Sequence, residues 1–387
     1  MAKYSALIIG GGGTGAALAH DLALRGLDVT LVERGEVTSG TTGRHHGLLH
    51  SGARYAVKDK ESALECIEEN RILRRIAPGT FEENDGLFVA ITEEDVEYSH
   101  LFIEGCGDCG IPTRRLTREQ ALRMEPNLTP DLILAVQIPD ATMDALRMPL
   151  RFFATAKKNG AVIKTYTEVI DILKEGNTVV GARVRDHRNG REYDLRADIV
   201  INAAGPWSGK IAEMAGVEVP IRPSPGVMVA VYGRYCNMVI NRMGPSSDGD
   251  IVVPQRGLSV IGTSSWVVED PDNLGLPKDH IKKMYAEGSK MIPALRHAPM
   301  RAAWSAARPL IGSRGADTGR ELSRTFKCFD HADEGVEGIV TITGGKATTL
   351  RGMAEAAANV VCQKLGVDAP CLTRETVLLP FTAYYGG

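Results

Sequence analysis

The sequence is short of several features, and each absence narrows what the protein can be. It has little excess charge. The formal net charge is −3 over 387 residues, so no strong pull toward nucleic acid or acidic lipid is expected. No apolar run approaches the roughly 20 residues that a membrane-spanning helix needs. Cysteine spacing is sparse: of seven cysteines only Cys106 and Cys109 lie close together. A zinc ribbon wants a second such pair, so no metal is expected and the two thiols read as unrelated. An export signal is lacking too. The opening "MAKYSALIIGGGG" runs from a short apolar stretch into glycines without a small-residue cleavage site. The expectation is a cytoplasmic chain with free thiols, with peripheral contact at the inner face of a membrane as a variant. Repeats and low-complexity tracts are also missing.

Glycine, in contrast, is abundant at 42 residues. That points to many close backbone approaches, as dinucleotide sites require. "SALII" at 5–9 is a buried strand, "AALAHDLALRG" a helix ending at Gly26, and "DVTLVER" a second strand. Between the first two lies Gly10-Gly11-Gly12-Gly13-Thr14-Gly15. Gly10 permits the tight turn, Gly12 lets the backbone approach a pyrophosphate, and Gly15 lets helix pack on strand. The anion would sit on unpaired N–H groups at the helix start. Glu33 ends the next strand, 23 residues after Gly10. Its carboxylate can accept from ribose hydroxyls and would repel a 2′-phosphate.

Further along, helices are expected at 61–76 and 147–158. Strands follow, with turns at Gly176-Asn177 and Asn189-Gly190. A buried strand closes on Ala203-Ala204-Gly205. Short strands then suggest an antiparallel sheet, followed by a helix at 278–290. The strand "GIVTITGG" and a last helix end the pattern. The fold class is therefore α/β, or α+β overall: a discontinuous Rossmann-like domain with an antiparallel-sheet cap. The expected division is 1–85, 146–220 and 306–387 for the nucleotide domain, and 86–145 and 221–305 for the cap. The late Gly344-Gly345 before a C-terminal helix favours FAD over NAD. Such a helix can aim its positive end at a flavin and stabilise its reduced ring.

Three of the nine histidines fall within "HHGLLHSGARY" at 45–55. Crowded imidazoles suggest a metal. The position, directly after the ribose-binding strand, suggests instead a loop leading from the cofactor phosphates to its reactive ring. Gly47 and Gly52 would give close backbone approach, and His45 has no assigned task.

Several stretches carry a family likeness: "IIGGGGTGAALAHDLALRGLDVTLVERG", "TTGRHHGLLHSGARYAVKDKESALECIEENRILRRIAPG", "VINAAGPW", "SVIGTSS", "SAARPL" and "TITGGKATTLRGMAE". The chain resembles the FAD-dependent glycerol-3-phosphate dehydrogenases of the D-amino-acid-oxidase-like flavoprotein group, in particular the large flavin subunit of the anaerobic, quinone-linked enzyme. That resemblance implies oxidation of sn-glycerol 3-phosphate to dihydroxyacetone phosphate, with hydride passing from C2 to flavin N5. It implies catalytic roles for His50, Arg308 and Lys346, and substrate contacts from Arg54, Tyr55, Arg308, Arg324 and Lys346. Cofactor contacts are expected at Gly10, Gly12, Gly13, Thr14, Gly15, Glu33, Arg34, Thr41, Thr42, His46, Gly47, Leu48, Val169, Ala203, Ala204, Gly205, Gly344, Gly345, Lys346 and Thr348. The residue types suit the chemistry. A phosphomonoester wants guanidinium forks, and an alcohol that loses hydride needs a base for its proton.

Three features depart from the family. His45-His46 stands where Asn-His is usual, and Pro225 stands where a lysine is common. The chain also stops at Gly387, without the cysteine-rich C-terminal domain of the anaerobic enzyme's flavin chain. Electrons are then expected to leave to quinone, oxygen or a partner protein. Two rival readings stay open: a 2-hydroxy acid dehydrogenase or oxidase such as one acting on 2-hydroxyglutarate, and a non-catalytic electron-transfer subunit with Cys106 and Cys109 as a redox sensor.

Overall fold

The computed structural model describes residues 4–312 and 324–386. At its centre is a six-stranded sheet. The strands run in the order Phe326–Asp330, Ile339–Gly344, Ile199–Asn202, Ser5–Ile9, Asp28–Val32, Val162–Lys164. All neighbours are parallel except Phe326–Asp330, which lies antiparallel on Ile339–Gly344. Ile199–Asn202 and Ile339–Gly344 are buried at every residue, as strands covered on both faces must be.

The period of two decides which layer each side chain joins. On the first strand Ala6 and Ile8 point into one core, with helices Gly13–Leu24, Arg147–Lys158 and Leu350–Leu365. Leu7 and Ile9 point into another. That second core is closed by the antiparallel strands Thr167–Glu175, Thr178–Asp186 and Glu192–Arg196 and by helix Ser208–Ala215.

The other large sheet has eight strands: Met300–Ile311, Ile221–Tyr232, Leu258–Gly262, Ile251–Gln255, Val239–Arg242, Gly86–Ala90, Leu134–Ile138, Arg114–Thr117. Helix Lys278–Met291 packs on one face. Helices Lys60–Ile76 and Glu93–Asp108 pack on the other. The sheet is antiparallel except where Val239–Arg242 runs parallel to Gly86–Ala90. Its edge strand Met300–Ile311 pairs along Ile221–Tyr232, with Arg308 opposite Ser224. This strand continues unbroken through residue 306, so a boundary at 305/306 cuts an element. We keep the two-part division as a proposal with that boundary moved past Ile311.

The pattern over 86–145 reads as mixed, with charged helical pieces, and helix Glu93–Asp108 is not singled out there. Its signal was a capping box: Thr92 Oγ1 accepts from Asp95 N–H at 3.3 Å, and Asp95 Oδ2 accepts from Thr92 N–H at 3.1 Å. A three-stranded ribbon, Leu48–Leu49, Ala141–Met143 and Phe81–Glu82, joins the two large sheets and carries the histidine loop. No helix among the described residues is long and apolar enough to cross a membrane.

Candidate active site

A cavity of about 660 Å³ runs between the two large sheets. At one end stands the glycine turn. Gly10 has φ +113°, and a Cβ there would meet Ala203 O at 2.6 Å. At Gly15 a Cβ would stand 1.9 Å from Gly10 O. So Gly15 does not face the cavity; it lets the helix close on the turn. The helix Gly13–Leu24 has no side-chain N-cap and no acid in its first turn. Thr42 Oγ1 accepts the Gly13 N–H at 2.9 Å, and Thr41 Oγ1 donates to Ala307 O at 2.6 Å. The remaining first-turn N–H groups face a space with no protein carboxylate of the helix in it, which suits an anion. Glu33 accepts from Gly11 N–H at 2.7 Å and Gly35 N–H at 2.8 Å. These bonds fix the carboxylate at the cavity wall. Arg34, Val169, Ala203, Ala204, Gly205 and Trp207 complete this end. Arg34 pairs with Asp272 at 2.7 Å and lies over the Trp207 ring at 4.5 Å.

The histidine loop forms the middle. The rings of His46 and His50 meet edge-on at 6.0 Å, and His50 stands 5.6 Å from Tyr55. His45 Nδ1 accepts the Gly47 N–H at 2.9 Å, so its proton sits on Nε2 and the ring caps the local turn. That is the task the sequence left unassigned. Among the described residues His46 Nδ1 is buried without a partner. A Cβ on Gly47 would strike Gln255 Nε2 at 1.8 Å, and one on Gly52 would strike Ala63 O at 2.3 Å. Both glycines therefore make room for protein, not for the cavity's contents. Gly47 and Thr348 lie behind the wall; Leu48 lines it.

All three imidazoles are desolvated, although the cavity leaves part of their surface reachable. Desolvation pushes His45 down to about 4 and, with the His45 and arginine charges, His46 down to about 3. His50 is also held well below the ordinary histidine value, by burial first and then by His46, Arg54 and Lys346. At neutral pH each ring is uncharged and can accept a proton.

The far end gathers Arg54, Tyr55, Arg308, Arg324, Gly344, Gly345 and Lys346 from distant parts of the chain. Arg54 donates to Asp250 at 2.7 Å and to Asn241 at 2.8 Å. Arg308 donates to the carbonyls of Ser224, Pro225 and Ser264, each at 3.3 Å, and to the Thr263 hydroxyl. Pro225 thus contributes a carbonyl that anchors Arg308. Gly226 has no side chain because a Cβ there would meet Arg308 Nη2 at 2.7 Å. Lys346 Nζ donates to Arg324 O at 2.8 Å, faces Glu65 at 3.4 Å and lies 5.2 Å from the Tyr55 ring. Helix Leu350–Leu365 begins only after a 3₁₀ turn at Ala347–Thr349, so Lys346 precedes the helix rather than opening it.

Residues 5–359 match the family model described as DAO, FAD dependent oxidoreductase. The chain belongs to the FAD-dependent oxidoreductase family. One relative is a component of the anaerobic glycerol-3-phosphate dehydrogenase of Haemophilus influenzae. The two are 43% identical over 375 residues, covering 96% of this chain and 67% of that one. The corresponding component of the anaerobic enzyme from Haloferax volcanii is 45% identical over 387 residues, covering 97% and 66%. The chain thus spans about two thirds of the length of these relatives. Among solved structures it is similar to the glycerol-3-phosphate dehydrogenase of Bacillus halodurans complexed with FAD. That match has a TM-score of 0.74 and 25% identity, and covers 98% of this chain and 68% of that one.

The cofactor of this oxidoreductase is FAD, and the cavity fits it. Gly10, Gly12, Gly13 and His46 all line the cavity, and among the described residues His46 Nδ1 is buried without a partner. The sequence reading missed Asp250, Ser246, Thr263, Trp207 and Asp272, all of which line the cavity. Trp207 and Thr263 had a local signal, lying in the stretches "VINAAGPW" and "SVIGTSS". Cys106 and Cys109 are buried away from this cavity, and burial pushes Cys106 up to about 12. Neither thiol carries the thiolate character that redox sensing uses. Among the described residues no group of three His, Cys, Asp or Glu side chains could hold a metal.

Proposed function

We propose that this oxidoreductase oxidises sn-glycerol 3-phosphate to dihydroxyacetone phosphate, as the names of its relatives suggest for them. The observation that carries the reading is one uncharged, half-buried imidazole, His50, that lines the cavity together with the cofactor glycines and a cluster of arginine and lysine side chains. Bound FAD supplies the acceptor for the hydride leaving C2. His50 takes the C2 hydroxyl proton. Its basicity is low chiefly because it is desolvated, and the charges of Arg54 and Lys346 lower it further. A phosphate entering the pocket brings nearly two negative charges, offsets those cations and raises the imidazole's proton affinity as substrate arrives. Lys346 and Arg308 stabilise the developing alkoxide. Arg54, Arg308, Arg324 and Tyr55 hold the phosphate. Electrons then pass to quinone or to a partner protein, with the chain at most peripheral to a membrane.

A second reading has one observation behind it. Arg54 is already paired with Asp250, so its charge is partly spent. That suits a singly charged carboxylate as well as a phosphate, and keeps 2-hydroxy acids in contention. Anaerobic flavin bleaching with a panel of alcohols decides. Glycerol 3-phosphate is expected to bleach the flavin and 2-hydroxyglutarate to leave it oxidised; the reverse result overturns the first reading.

A further inference from the structure

His50 is held through its backbone from several sides. Its N–H donates to Thr348 Oγ1 at 3.0 Å, and its carbonyl accepts from Asn70 Nδ2 at 3.1 Å. The next N–H, of Ser51, donates to Asp140 Oδ1 at 2.7 Å. Arg74 ties these anchors together. Its Nε donates to Asn70 Oδ1 at 2.8 Å, and its Nη2 donates to the carbonyls of Pro139 and Asp140, both at 3.1 Å. Ser51, Asn70 and Asp140 are 0%, 2% and 3% exposed, and none of them lines the cavity.

We infer that Asp140 is a positioning residue: through Ser51 it sets where the His50 ring stands, with Asn70 holding the carbonyl side of the same residue. The inference rests on the reading of His50 as the proton acceptor.

A neutral asparagine would satisfy the Ser51 N–H. A buried carboxylate is the more costly choice, because losing water disfavours its charge. Burial pushes Asp140 up to about 6, against the opposing pull of Ser51, Arg54 and Arg74. The other groups facing it are Cys66 on helix Lys60–Ile76 and Cys106 on helix Glu93–Asp108. Burial pushes both thiols to about 12, so neither is charged. Near pH 6 Asp140 is thus the member of this cluster that changes charge. Its folded value lies above the ordinary 3.8. Its contribution to stability is therefore fully present below that ordinary value and is lost as pH rises through about 6. At neutral pH the fold carries an ionised group that weakens it, and an ionised carboxylate grips the Ser51 N–H more strongly than a neutral group does.

The test measures anaerobic flavin reduction by glycerol 3-phosphate between pH 5 and 8, with thermal melting of each holoenzyme. Asp140→Asn is expected to slow flavin reduction about tenfold at pH 8, a loss typical of small misplacement. Its KM should stay within about twofold; the parent is expected to show an acid limb near pH 6, and the variant should lack it. Its melting temperature at pH 8 should equal or exceed the parent's. Asn70→Ala should slow reduction similarly while retaining FAD, and it decides the matter if Asp140→Asn fails to fold. Parent rates with the limb intact overturn the inference, and so does a rate loss matched by a fall in melting temperature. His50→Ala separates the two levels. If it reduces flavin at the parent rate, the base reading fails; if it alone is slow, only the positioning role of Asp140 fails.

Discussion

The two ends of the cavity are built by different means. The glycine-rich end is mostly backbone: glycines packed to contact, a helix start with no acid in its first turn, and a carboxylate fixed by two N–H groups. The end with the arginines and Lys346 is mostly long side chains, each steered by a partner far off in sequence. Arg54 meets Asp250 across 196 residues, and Lys346 meets Glu65 across 281. The first end fails by steric contact, where one added carbon is too many. The second fails by degrees, because its charges can re-pair.

That contrast can be broken at three points. The largest effect is expected from Gly15→Ala. Its Cβ would stand 1.9 Å from the Gly10 carbonyl oxygen, a backbone atom that cannot swing aside, with the Leu31 side chain at 3.3 Å. Purified protein should carry essentially no flavin, read from its visible absorbance. A normally loaded Gly15→Ala protein would show that the cradle is softer than its geometry indicates. An intermediate effect is expected for Arg308→Ala. KM should rise about 100-fold for the phosphorylated substrate, the scale of a lost charge-assisted fork, and far less for glycerol. Equal rises for both would remove phosphate recognition from Arg308. The smallest is Asp250→Asn, which keeps the shape beside Arg54 and deletes one charge. KM should change by about threefold, since Asn241 and Ser246 still receive the guanidinium. A loss as large as that of Arg308→Ala would place Asp250 among the groups that touch substrate.

The same contrast explains what could be read from the chain alone. Gly10 to Gly15 and Glu33 form a local pattern whose spacing reflects one strand, one turn and one helix, so it can be recognised without tertiary knowledge. Helices at 61–76 and 147–158 followed from the 3.6-residue repeat and appear at Lys60–Ile76 and Arg147–Lys158. The partners of Arg54 and Lys346 leave no such trace, because they meet only when two sheets come together. Asp140 and Asn70 were silent for the same reason. The edge strand Met300–Ile311 was hidden because its first half is exposed or only partly buried and so lacks a clear apolar alternation. His45 was a different failure. Its bond to the Gly47 N–H spans two residues and was open to inference, but three close imidazoles drew attention to metals and cofactors instead.

The edge strand has a mechanical consequence. At its last residue, Ile311, it lies against Gly344 of the central sheet, where a Cβ would come within 3.0 Å of Ile311 Cδ1. Along its length it is hydrogen-bonded to Ile221–Tyr232, and Arg308 and Ala307 on it line the cavity. One rigid rod therefore belongs to the eight-stranded sheet, abuts the six-stranded sheet and borders the ligand. Melting either half must pull on the other, so heat should unfold the molecule in a single cooperative step. Flavin gripped at one end would then raise the temperature at which both sheets are lost together.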